Sequence, residues 1–103
     1  MNDRLAKLRQ LAEQDPNNRF ARYGLAMEYA GQGQLQEASD EFQRLLELDP
    51  DYVPAYLQAG RVFEQRNLSQ LAGQIYAKGI EVASRRGEKR AADELQAALE
   101  LLG

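Results

Sequence analysis

Residues 15–30 read DPNNRFARYGLAMEYA and residues 49–64 read DPDYVPAYLQAGRVFE, so the same Asp-Pro punctuation returns after 34 residues although few of the letters between match. A fixed period of this kind marks an array whose units are too small to bury an apolar face alone and must stack on one another. Only residues at the contacts then keep their size, while surface letters drift. Apolar spacing says what each unit contains. Leu5, Leu8 and Ala12; Leu25 and Tyr29; Ala38, Phe42 and Leu45; Ala59, Val62 and Phe63; Leu71, Ile75 and Ile80; and Leu95, Leu99 and Leu102 all recur at helical intervals. No stretch alternates as a strand does.

The breaks between these runs have recognisable chemistry. Asp15-Pro16-Asn17-Asn18 and Asp49-Pro50-Asp51 join a proline, which disfavours helix in the residue before it, to Asx residues able to cap the next helix. Gly31 with Gly33, Asn67 before Ser69, and Gly87 mark three more stops. The signals predict an all-α chain of six helices, over about 2–14, 18–31, 35–48, 52–66, 69–85 and 88–102. Connections this short make neighbouring helices antiparallel. At the predicted contacts, small residues (Ala26 or Gly60, Ala38 or Ala72) let backbones approach, and Tyr29 or Phe63 and Phe42 or Tyr76 fill the space beside them.

Composition narrows the function. The 103 residues suit one domain, and with 44% hydrophobic and 28% charged residues the chain is neither disordered in type nor apolar enough for a bilayer. The stretch MNDRLAKLRQLAEQDP alternates charges with leucines and lacks the continuous apolar segment of a secretory signal, so the expected setting is cytoplasmic. With neither cysteine nor histidine, the usual zinc sites and an imidazole-activated serine are excluded, and no cofactor or metal is expected. Ser39, Ser69 and Ser84 read as helix-end or surface hydroxyls. Glu37, Asp40, Glu41 and Glu47 read as a solvated face, not an acid–base pair. A net charge of −3 argues against nucleic acid, and the one basic cluster, RRGEKR at 85–90, places Arg85 and Arg86 where cations stabilise a helix carboxyl end.

The series Leu25, Ala26, Tyr29, Ala38, Phe42 and Pro50, repeated as Ala59, Gly60, Phe63, Ala72 and Tyr76, resembles the tetratricopeptide repeat (TPR). That resemblance implies a right-handed superhelical stack of antiparallel hairpins with a concave groove, working as a non-enzymatic protein-interaction scaffold. It divides the single domain, 1–103, into a half repeat at 2–16, repeats at 17–50 and 51–84, and a capping helix at 88–102. The pattern is broken at Arg22, where the family carries a large aromatic as Tyr56 does in the second unit, and at Ser84, where a proline is missing. Helix five should therefore run on to Arg86 and stop at Gly87. Gly79 is explained by close approach of the capping helix.

The resemblance also turns the first helix of each hairpin toward the groove. Phe20, Tyr23, Met27 and Ala30 then form one stripe, faced by Leu57, Gln58, Arg61 and Glu64. Two readings of the stripe stand: it packs against the half repeat or the next hairpin, or it stays open to hold apolar side chains of a partner peptide or helix. Arg61 has the charge to meet an acidic group or terminal carboxylate, or else pairs locally. Family members that clamp a terminal carboxylate would use the places held here by Tyr23, Met27, Gln58, Glu88 and Ala92, of which Gln58 alone has suitable chemistry. Surplus leucines on the first and last helices suggest the alternative of a self-associating element, a homodimer through its terminal helices. A third reading gives the basic cluster an RNA-associated or enzyme-accessory role.

Overall fold

Each apolar run becomes one helix. In a computed structural model, which describes residues 3–102, these are α1 (Asp3–Gln14), α2 (Arg19–Gly31), α3 (Leu35–Leu48), α4 (Val53–Gln65), α5 (Ser69–Arg85) and α6 (Lys89–Leu102), and no strand occurs among the described residues. The expected helix start at residue 2 lies outside them. Each helix packs on the next in the chain, and the even-numbered helices also touch, α2 on α4 and α4 on α6. The odd-numbered helices do not touch one another. The layer α2–α4–α6 is therefore the tighter, inner side of a curved stack measuring 37 × 28 × 19 Å.

The breaks close in repeated ways. At both Asp-Pro corners an aspartate side chain accepts the amide two residues on, Asn17 to Asp15 (3.3 Å) and Asp51 to Asp49 (3.0 Å), an Asx turn that reverses the chain. Asn18 then caps α2 by accepting the Ala21 amide at 3.0 Å. Asp51 does not cap α4 as the sequence suggested; its carboxylate is taken by Arg85 at 2.6 Å, and α4 starts at Val53 without a side-chain cap. Helices α2, α4 and α5 end on a residue at positive φ, Gly33, Asn67 and Gly87, each followed by an amide reaching back to the last turn: Gln34 to Tyr29, Leu68 to Phe63 and Glu88 to Ala83, each at 2.9 Å. α5 runs to Arg85, past the place of the missing proline.

The core is continuous. Ala26, Ala38, Phe42 and Leu45 are buried in the first hairpin and Phe63, Ala72 and Tyr76 in the second, with Leu46 and Ile75 packed against both groups. A Cβ on Gly60 would lie 2.1 Å from Tyr76 Cε1, so glycine alone admits that ring. A Cβ on Gly79 would meet Tyr56 Cβ at 2.6 Å and Leu95 Cδ1 at 3.0 Å. The tighter constraint there comes from α4, and the capping helix adds to it. Leu71, grouped by spacing with Ile75 and Ile80, is 42% exposed.

Two polar readings change. Ser39 is fully buried in α3, donates to the Gln36 carbonyl (3.0 Å) and accepts from Arg66 (2.8 Å), which also holds Gln36 Oε1 (2.6 Å); it helps join α3 to the end of α4. Glu41 is not solvated. It pairs with Arg22 at 2.5 Å, with both side chains about 12% exposed or less.

Candidate functional site

The inner layer carries a cleft of about 260 Å³ between α2, α4 and α6. Tyr23 forms one side, Val53, Pro54, Leu57 and Gln58 the floor, and Glu88, Ala91, Glu94 and Leu95 the far wall. Its volume suits a side chain or two and falls short of a cofactor site. No group of His, Cys, Asp and Glu that could hold a metal occurs among the described residues.

Tyr23 is fixed from behind. Its ring meets Phe42 edge-on at 6.1 Å and Tyr52 at 5.5 Å, and burial, then the neighbouring Tyr52, raises its hydroxyl above the ordinary tyrosine value. A neutral, half-buried tyrosine thus offers the cleft one rigid edge. Leu57 and Gln58, one turn into α4, are half-buried beside it.

The predicted stripe divides. Phe20 is 75% exposed and Met27 36% exposed; with the half-buried Ala30 they sit on α2 outside this cleft. Arg61 and Glu64 line a neighbouring depression with Tyr76, Glu94, Ala97, Ala98 and Leu101. Arg61 makes no ion pair among the described residues, while the Glu64 carboxylate accepts a short hydrogen bond from the Tyr76 hydroxyl. Burial first and that bond second hold the Tyr76 proton well above the ordinary tyrosine range. Glu64 is therefore occupied, a pairing that spacing along α4 did not reveal.

Sequence reasoning reached the α6 wall only at Glu88, as a clamp place, and left Ala91, Glu94 and Leu95 out of the groove. Glu88, Ala91, Leu95 and Ala98 stand one 34-residue period after Pro54, Leu57, Arg61 and Glu64, so extending the repeat register would have found it. Ala92, a place in the carboxylate clamp, faces a different cleft with Ser84, Gly87, Lys89 and Asp93.

The basic cluster begins at the carboxyl end of α5, as expected, with Arg85 in the last turn and Arg86 at the cap, and it is also matched by carboxylates. Arg85 binds Asp51 at 2.6 Å, Arg86 binds Glu88 at 2.8 Å and approaches Asp51 at 3.7 Å, and Lys89 binds Asp93 at 3.0 Å. The Arg85 hydrogen bond accordingly holds the Asp51 carboxyl below its ordinary value. No helix of the described residues is long and apolar enough to cross a membrane.

A stack of helical hairpins with an inner cleft is a general architecture, and comparison decides which one this is. The tetratricopeptide-repeat family model matches residues 5–61. The chain belongs to the tetratricopeptide-repeat family. It is 28% identical over 79 residues to a TPR repeat-containing protein of Pseudomonas aeruginosa, covering 77% of this chain and 75% of that one. A tetratricopeptide repeat domain protein from Salinibacter ruber, solved in solution, superposes with a TM-score of 0.80 at 38% identity, over 85% of this chain and 89% of the other. YrrB, described as a TPR protein with an unusual peptide-binding site, superposes at 0.78 and 25% identity, over 90% of this chain and 46% of its own. The TPR fold is in general a scaffold for protein–protein interaction.

Proposed function

We propose that this TPR domain is a non-enzymatic scaffold that captures a peptide or helix of a partner protein on its inner layer, in a cytoplasmic setting. The observation that carries the reading is the cleft itself: apolar groups from three helices, Tyr23, Leu57 and Leu95, converge on one opening. Rigid aromatic and aliphatic walls suit insertion of an apolar side chain, because little conformational freedom is lost on binding. The peptide-binding site of YrrB lends support by likeness. The exposed Phe20 and Met27 extend an apolar strip along α2, where a longer ligand continues past the cleft. A photocrosslinker at Gln58 should capture a partner that the same group at Gln43, exposed on α3, does not. Equal capture at both places would remove the groove reading.

Self-association is a second reading, drawn from Leu101, which is 88% exposed on α6. The other surplus leucines are largely used within the chain: Leu5 and Leu8 pack on the first core group, Leu95 is buried, and Leu99 and Leu102 pack on the second group. Leu11 stays 47% exposed. Sedimentation showing only monomer at high concentration, for wild type and Leu101→Glu alike, would dismiss this reading.

A further inference from the structure

The lining of the inner cleft contains two carboxylates, Glu88 and Glu94, and no cation. Glu88 immediately precedes α6 and Glu94 lies within it, six positions on and about 9 Å along the axis, with Ala91 and Leu95 between and beside them. Glu88 shares its carboxylate with Arg86, while Glu94 makes no hydrogen bond or ion pair among the described residues. Arg86 thus meets Glu88, and the apolar floor has beside it one carboxylate, Glu94, that no cation of the described residues pairs. Arg61 lies in the next depression, beyond Glu94, and bounds the acidic stretch on that side.

Resting on the reading of this cleft as the partner's seat, we propose that its occupant is a peptide segment carrying an apolar side chain beside a lysine or arginine. The apolar group enters between Tyr23, Leu57 and Leu95, and the cation lies along Glu94 toward Glu88. An acidic peptide would set like charges against that edge, which disfavours it at close range. A neutral peptide would leave Glu94 with water as its only partner and gain nothing from it.

The test uses a random peptide library displayed on phage and selected on the full chain, followed by affinity measurements of synthetic copies of the enriched peptides. The expected peptides combine Leu, Ile, Met or Phe with a nearby Lys or Arg. They bind Glu94→Lys about tenfold more weakly, since attraction becomes repulsion, and they lose affinity as salt rises. Glu94 is exposed and unpaired among the described residues, so Glu94→Lys should leave the fold intact, which circular dichroism checks. Enriched peptides that lack basic residues but lose binding on Ala91→Trp, which plugs the cleft, overturn the basic preference while the groove reading stands. Peptides indifferent to both substitutions, or no enrichment at all, overturn both.

Discussion

The two full hairpins place different residues at the same stations. At the station where the second hairpin has Tyr56, whose hydroxyl donates to the Pro50 carbonyl at 2.5 Å, the first has Arg22, whose guanidinium donates to the Pro16 carbonyl at 3.2 Å. Those two prolines are one period apart. An aromatic and an arginine thus serve the same backbone acceptor at the same corner, and the arginine's charge is met by Glu41. The inner contacts differ in a second way: Ala26 accompanies Phe42 in the first hairpin, and Gly60 accompanies Tyr76 in the second. The extra room at Gly60 admits a ring whose hydroxyl then needs Glu64. What the repeat preserves is filled volume and a satisfied corner carbonyl, by whichever side chain achieves both.

This equivalence can be broken in order of size. Gly60→Ala should destabilise by about 2 kcal/mol, the overpacking cost outweighing the helix propensity gained. Adding Tyr76→Phe should not rescue it, because the ring atoms in the way remain, whereas Tyr76→Leu should recover part of the loss; urea midpoints of the three variants check this. Arg22→Ala should cost nearly as much, about 1.5 kcal/mol, by stranding Glu41 at low exposure with only Arg44 nearby at 3.6 Å. If Arg22→Tyr, copying the second hairpin, restores stability only when Glu41→Gln is added, the two corners are interchangeable apart from charge.

Tyr76→Phe alone should cost about 1 kcal/mol at neutral pH. Its folded ionisation lies above that of the unfolded chain, so its contribution is whole below the ordinary tyrosine value of 10.0 and is lost as pH rises through the folded value. The substitution should therefore flatten the alkaline fall in stability, and wild type that falls as steeply as the variant would contradict the pairing with Glu64. Smallest is Asn67→Gly, which relieves a left-handed backbone at φ 62 and should stabilise by about 0.5 kcal/mol, bringing the end of α4 to the chemistry of Gly33.

The helices and their stops were legible because they depend on local spacing and on residues with narrow conformational preferences, such as Pro16, Gly33 and Gly87. The close approaches at Gly60 and Ala72 were legible because the period put a small residue beside a large one. Arg22 with Glu41, Ser39 with Arg66, Asp51 with Arg85 and Tyr76 with Glu64 were not, since each joins residues from different helices or corners that spacing on one helix does not relate. For the candidate site, Tyr23, Leu57 and Gln58 were placed from sequence by carrying the inner face of α2 to α4. Of the third wall only Glu88 was named, as a clamp place, because the last helix was otherwise read as a cap or a dimer surface, although α6 keeps the same register.

That third wall gives the neighbour-to-neighbour packing a thermodynamic consequence. Among the described residues α6 leans on α5 and α4 alone, so its detachment requires no rupture of the first hairpin and is among the less costly openings of the domain. When it lifts, Glu88, Ala91, Glu94 and Leu95 leave together and the proposed seat is dismantled while the rest still holds its shape. A ligand at the proposed seat should fasten α6 down, with slower amide exchange in the last helix as the expected first signature.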